Sequence, residues 1–218
     1  MFKFLNICVV VVVFTSTVVA LASANCCFPD QWTANLVETT GEYNRDLDAA
    51  SLAYGNRQFY FDYTGKQIAY LESLDNRTAH VKTQTKTIIK YNEGKKYTII
   101  SQKCKTEDIS STMESPCIPD DATLFGAHSY PAGVMAEVWF VPDKVNGGSK
   151  RISVTKDDCL PLSESRITGG PDYVMRMSLY QNVTKGITDP TAFNIPASCN
   201  QLLATDDVLH FRNSADRY

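Results

Sequence analysis

Residues 57–74 read RQFYFDYTGKQIAYLESL, and this stretch decides the fold class. Phe59, Phe61 and Tyr63 recur at every second position, with Tyr60 and Asp62 between them. A period of two belongs to a strand, where successive side chains point to opposite faces. Thr64-Gly65-Lys66 then breaks the run with residues suited to a turn. A second run follows from Ile68 to Leu74, with Ile68 and Tyr70 in phase. Two aromatic and β-branched runs joined by a short turn predict a hairpin.

The same style continues outward on both sides. Val81 to Tyr91 is a threonine-rich run, Asn92-Glu93-Gly94 a turn, and Tyr97 to Ser101 a strand leading to Cys104. Val134 to Val141 alternates, and Asn146-Gly147-Gly148 turns it into Arg151 to Thr155. Tyr173 to Gln181 places Tyr173, Met175, Met177 and Leu179 on one face, with Arg176 and Tyr180 on the other. Helical spacing is confined to Gln201–Leu209, which Asn200 is placed to cap. Short strands between polar turns predict an all-β chain with little helix: two curved antiparallel sheets in a sandwich or open barrel.

The amino terminus sets the compartment. Lys3, the apolar run Leu5–Phe14 and the small-x-small triplet Ala22-Ser23-Ala24 predict a signal peptide over residues 1–24. Removing 24 of the 218 residues leaves 194, residues 25–218, enough for a single domain with its own core. No later apolar run approaches the roughly 20 residues of a membrane-spanning helix, so a soluble, secreted, extracellular protein is expected. Of the 7 cysteines Cys8 leaves with the signal segment, and the 6 that remain predict three disulfides in an oxidising compartment. Spacing does not choose among the pairings those six allow. Zinc is disfavoured, since no C-x-x-C occurs and the 3 histidines are scattered. Asn76-Arg77-Thr78 and Asn182-Val183-Thr184 are glycosylation sequons, and glycan is expected at both, with Asn182 the weaker of the two because it borders a strand.

Charge and motifs exclude other classes. Without Lys3 the chain carries 20 basic and 24 acidic residues, a net charge of −4, and no basic stripe to meet a nucleic acid. It has no G-x-S-x-G elbow, no H-E-x-x-H and no phosphate-binding loop, so no enzyme is expected.

Several short pieces, taken in order, resemble the ependymin-related family of secreted glycoproteins. They are Cys26-Cys27 with Pro29 and Trp32, the aromatic strand ending in Asp62-Tyr63, Cys104, and Cys117-Ile118-Pro119-Asp120-Asp121-Ala122. Trp139, Val154-Thr155 and Cys159-Leu160-Pro161 follow, then Asn182-Val183-Thr184 through Gly186-Ile187-Thr188-Asp189-Pro190 to Phe193 and Cys199. The resemblance implies two antiparallel sheets curved around a deep apolar pocket, like carriers of the LolA type. It also implies a homodimer, hydrophobic ligands and bound calcium, and brings no catalytic residues. The doubled Cys26-Cys27 and Cys117 depart from the family's vertebrate members. Adjacent cysteines rarely bridge each other, because the ring strains the peptide between them. The family pattern joins one of that pair to Cys159 and Cys104 to Cys199, leaving the other for Cys117. The pairing expected is Cys27–Cys159, Cys104–Cys199 and Cys26–Cys117.

The inner faces follow from the strand readings. Phe59, Phe61 and Tyr63 come from the early strand, Met135 and Trp139 from the middle one, and Met175, Met177 and Leu179 from the late one. Val134, Val138 and Phe140 are the alternative stripe of the middle strand. Methionine's flexibility suits a pocket for varied apolar shapes, and Trp139 and Tyr63 each bring one polar atom to orient a ligand. The expected partner is a hydrophobic small molecule, a lipid or fatty acid. Asp120 and Asp121 are the candidate oxygens for calcium, which takes 6–8 of them; no other cofactor is expected. The alternative function is a structural or cell-adhesive matrix glycoprotein, calcium-modulated, that acts through an exposed patch. Past Gly186 and Pro190 the chain is expected to bend and run along the domain edge to Cys199.

Overall fold

A computed structural model describes residues 26–130, 133–143, 148–169 and 172–200 of the chain. The expected signal peptide, the helix over Gln201–Leu209 and the Asn146-Gly147 turn lie outside the described residues. Among the described residues eleven strands form: β1 (Gln31–Asn44), β2 (Ala49–Asp62), β3 (Gln67–Asn76), β4 (Val81–Lys90), β5 (Lys95–Ile100) and β6 (Lys103–Asp108), then β7 (Thr123–Ser129), β8 (Met135–Asp143), β9 (Gly148–Thr155), β10 (Pro161–Thr168) and β11 (Asp172–Lys185). The chain is all-β, as its alternation predicts.

The two expected sheets are two arms of one. Strand order is β6-β5-β4-β3-β2-β1-β11-β10-β9-β8-β7, antiparallel throughout, and the pairing of β1 with β11 joins the arms. The result is one curved, unclosed sheet. β1 carries the register of both arms: Trp32 faces Phe61 and Lys185, Leu36 faces Arg57 and Tyr180, and Glu38 faces Gly55 and Ser178. Asn182, at φ +51°, sits in a bulge against Thr33–Asn35 and lets β11 bend at its end.

The Asp62–Gln67 turn closes the hairpin read from residues 57–74. The Asp62 carboxylate accepts hydrogen bonds from Gly65 N at 2.8 Å, Gln67 Nε2 at 2.9 Å and Gln31 Nε2 at 3.0 Å. A Cβ on Gly65 would collide with that carboxylate, so the turn requires glycine there.

Residues 109–122 link β6 to β7, which are the opposite edges of the sheet. Ten inter-strand steps of about 4.8 Å make a flat sheet about 48 Å wide. Fourteen residues reach about 50 Å only when fully stretched. This link is not stretched: it is pinned partway, with Met113 buried beside Trp32, Ala34, Leu36 and Phe61. The sheet therefore curls, and the link lies across its inner face as a strap.

Three disulfides hold the arrangement: Cys26–Cys159, Cys27–Cys117 and Cys104–Cys199. The expected partners of Cys26 and Cys27 are thus exchanged. The strap explains why. Phe28 N donates to Pro116 O and Ile118 N to Cys26 O, each at 2.8 Å, which places Cys27 directly opposite Cys117. That is the close-spaced kind of antiparallel pair. Cys26 points to the other side, into a cluster with Ile118, Val141, Ile152 and Val154, where Cys159 packs.

The segment after β11 also departs from expectation. Gly186, at φ +88°, turns the chain, and residues 187–199 cross the outer face instead of following the edge. Ala192 and Phe193 bury against Tyr60, Ala69 and Ile88, and the short 3₁₀ turns Pro190–Phe193 and Ala197–Asn200 lie on β3 and β6. Asp189 accepts from Thr191 N at 2.9 Å and caps the first of them.

Candidate functional site

A cavity of about 660 Å³ opens between the inner face of the sheet and the strap. One end is aromatic. Trp32 on β1 lies 5.1 Å from Phe59, 5.6 Å from Phe61 and 5.9 Å from Tyr180, measured between ring centroids. Phe28, Ile68 and Tyr91 complete that end. Trp32, Phe59, Phe61 and Tyr180 come from the three adjacent strands β2, β1 and β11, whose inward positions β1 brings into line.

The middle of the cleft is polar, although it is buried. Arg57 bridges Glu38 at 2.9 Å and Glu72 at 2.6 Å and stacks 4.4 Å over the Tyr70 ring. Ser178 Oγ donates to Glu38 at 2.9 Å. Burial works against the guanidinium charge, but Glu38 and Glu72 outweigh it and hold Arg57 more firmly protonated than a free arginine. Beside them burial pushes the Tyr180 phenol well above its ordinary range, with Glu164 and Glu38 adding to the shift, so it is neutral at physiological pH. Two buried donors of this wall, Trp32 Nε1 and Arg57 Nε, have no hydrogen-bond partner among the described residues.

Beyond the triad, Lys150, Arg166 and Arg176 also line the cleft. The strap forms the roof, where Pro116, Ile118 and Pro119 are the apolar contributors.

The expected pocket residues divide. Phe59 and Phe61 line the cleft. Tyr63 lies just past it, stacked 6.4 Å from Phe61 with the Lys66 ammonium 3.2 Å over its ring. Trp139, directly opposite Ile152, packs against the cluster of Ile118, Val141 and Ile152 beside the cleft, and Met135 is exposed at the start of β8; neither lines the cleft itself. Met175, Met177 and Leu179 stand on the opposite face of the sheet, with Met177 47% and Leu179 50% exposed. The cause is register. Once Ser178 pairs with Glu38 and Tyr180 with Leu36, the odd-numbered residues of β11 before the Asn182 bulge must point outward.

The cleft's other principal residues were missed by sequence reading: Trp32, Glu38, Arg57, Tyr180 and the strap. The alternation Trp32-x-Ala34-x-Leu36 is a strand signal, but it runs into Glu38, which reads as a surface residue.

Asp120 and Asp121 are exposed on the turn in which Ala122 N donates to Pro119 O. Among the described residues no three His, Cys, Asp or Glu side chains gather as a metal site. The order of the two sequons reverses: Asn182 is exposed, whereas Asn76 is 3% exposed and its Oδ1 accepts from Ala79 N at 2.7 Å. No helix among the described residues is long and apolar enough to cross a membrane.

A family model for ependymin matches residues 79–199. Ependymin-related protein 1 of Haliotis asinina is 24% identical over 200 residues, which is 86% of this chain and 96% of that protein. Among solved structures, an uncharacterised conserved protein from Thermus thermophilus aligns with a TM-score of 0.46 and 12% identity, covering 78% of this chain and 88% of its own. LprF from Mycobacterium bovis gives 0.37 and 9%, over 73% and 89%. A LolA superfamily protein from Nitrosomonas europaea gives 0.34 and 8%, over 78% and 93%.

Proposed function

The chain belongs to the ependymin family, and from that membership and its cleft we propose that it is a secreted glycoprotein that holds a hydrophobic small molecule, a lipid or fatty acid, between the inner sheet face and the strap. The carrying observation is the aromatic end of the cleft, where Trp32, Phe59 and Phe61 converge in a space of ligand-binding size. Burial of the ligand's apolar surface at about 25 cal/mol per Å² supplies the affinity. Several of the cleft's charged groups are tied into ion pairs, Arg57 with Glu38, Lys150 with Glu114 and Arg166 with Glu164, an arrangement suited to orienting a guest. His80 and His128 lie outside the cleft.

Displacement of a fluorescent fatty acid tests this reading. Phe59→Lys should weaken binding more than tenfold, the scale of burying an unpaired charge, while Met177→Lys, on the other face, should not weaken it. No binding by the wild type at micromolar concentrations would remove the reading.

The outer face favours a second reading. Val37, Tyr54, Tyr173, Met175, Met177 and Leu179 leave a half-exposed apolar band on β2, β1 and β11, of the kind that marks contact surfaces. In this reading the protein acts through that band, on a matrix component or a second copy of itself. Light scattering and adhesion assays on Met177→Lys distinguish the readings, because only the second predicts a loss.

A further inference from the structure

Lys150, Arg166 and Arg176 stand on β9, β10 and β11 and form a row across the inner face. Arg166 is directly opposite Lys150 on one side and Arg176 on the other. Directly opposed side chains on neighbouring strands lie about 5 Å apart, where like charges repel. Three adjacent cations facing one cleft call for an anion. Glu164, two residues from Arg166 on β10, approaches its Nε at 3.4 Å. Two more carboxylates are near: Glu42 of β1, one step along the same face from Thr40 opposite Arg176, lines the cleft and accepts from Ser51 Oγ at 3.5 Å, and from the strap Glu114 reaches Lys150 Nζ at 3.0 Å and Arg166 at 3.7 Å. Arg176 makes no ion pair among the described residues and lies exposed at the mouth.

Glu114 differs from the rest of the strap. Its neighbours are fixed: Met113 is buried, and Pro116 and Cys117 are held by a backbone hydrogen bond and a disulfide. Its own side chain is 71% exposed. Its carboxylate can therefore swing into solvent while the strap stays seated. We infer that this carboxylate occupies the place of a ligand's head, and that the cleft takes an amphiphile with an anionic headgroup held by Lys150, Arg166 and Arg176 in place of Glu114. The inference rests on the reading of the cleft as a hydrophobic-ligand site and adds the chemistry and position of the head.

The dimensions agree. Thr40, opposite Arg176, and Ala34, opposite Phe59, are six residues apart on β1, or about 20 Å. One acyl chain spans about half of a bilayer core, roughly 15 Å. A head on the basic row therefore sends its tail toward Leu36 and Phe59. On the way it passes under Pro116 and Ile118 of the strap. The row of Glu164, Ser178 and Glu38 lies one step deeper, with both carboxylates already bound to arginines. Its charge keeps an anionic head from sliding further in. An amine head would instead meet three cations at the mouth.

The test compares oleate, oleyl phosphate, oleyl alcohol and oleylamine as competitors for a fluorescent fatty acid on the full secreted chain. Oleate or oleyl phosphate should bind about tenfold tighter than the alcohol, the scale of one charge-assisted hydrogen bond, and the amine more weakly still. Whichever anion leads identifies the head as carboxylate or phosphate. Arg176→Gln should lower the anion-to-alcohol affinity ratio about tenfold. Glu114→Gln should raise that ratio several-fold by removing the competing carboxylate, an opposite sign that misfolding would not produce. Equal binding of anion and alcohol, or a ratio unmoved by Glu114→Gln, overturns the headgroup site and leaves the hydrophobic-ligand reading standing. If inorganic phosphate alone displaces the probe at low concentration, the site is for a free anion and the inference falls. If none of the four competitors binds, both readings fall together.

Discussion

The two faces of β11 carry opposite lessons. Its outward stripe, Tyr173, Met175, Met177 and Leu179, is the more apolar and is about half exposed. Its inward stripe, Val174, Arg176, Ser178 and Tyr180, includes a cation and two hydroxyls and lines the cleft. In a sheet packed on a solid core the apolar stripe would face in. Here the inner face bounds a cavity, and its buried charges Glu38 and Arg57 pair with each other across neighbouring strands. Its residues are chosen by what they pair with and by what the cavity holds. Apolar character alone does not identify the inside of a binding fold.

The comparison breaks most readily at the buried triad. Arg57→Leu leaves Glu38, 3% exposed, without its counter-charge. It should cost about 3–5 kcal/mol in urea unfolding; a loss below about 1 kcal/mol would mean that the polar inner face is incidental. The outer face is itself divided, and its covered corner comes next. Phe193→Ala, beneath the segment that Cys199 ties down, should cost about 3 kcal/mol. Pro190→Ala in the same segment should cost under about 1 kcal/mol, and comparable losses from the two would show that proline rigidity, not packing, holds the segment.

A smaller effect is expected at the hairpin turn. Burial alone would raise the Asp62 pKa, but hydrogen bonds from Gln67, Gly65, Gln31 and Thr64 outweigh it and hold the carboxyl below its usual value. Such a group stabilises the fold above its unfolded pKa of about 3.9, and the contribution drains as pH falls through the lower folded pKa. Asp62→Asn should therefore cost about 1–2 kcal/mol at neutral pH and progressively less below about pH 4. A constant difference across that range would assign the loss to shape and not to charge. The bare outer band should respond least: Met177→Lys should change stability by no more than about 0.5 kcal/mol. Glycan attachment sharpens the contrast between covered and bare sites. Asn182→Gln should remove an endoglycosidase-sensitive mobility shift from secreted material, and Asn76→Gln should leave that shift in place.

Much of the fold was legible where local rules act alone. The hairpin over residues 57–74, the turn at Asn92-Glu93-Gly94 and the β4 and β11 strands follow from alternation and turn residues. β1, β6, β7 and β10 were not read. β10 carries Glu164 and Arg166 at inward positions and so shows no apolar stripe, and β1 loses its stripe at Glu38. Within the site, Phe59 and Phe61 were legible because both stand in a run with one clear phase. Met175, Met177 and Leu179 were misplaced because the outward stripe of β11 is the more apolar of its two.

By itself, then, the sequence determined that this chain is built of antiparallel strands and that its cysteines bind distant segments together. Those properties rest on local backbone preference and on residue type. Tertiary structure alone decided which stripe of each strand faces the cleft, which of Cys26 and Cys27 meets the strap, and that Asn76 is covered while Asn182 is open. The physical reason is that a strand's two faces are interchangeable until a neighbour's register selects one. That selection is made here by residues far away in sequence, Glu38 for Ser178 and Cys117 for Cys27.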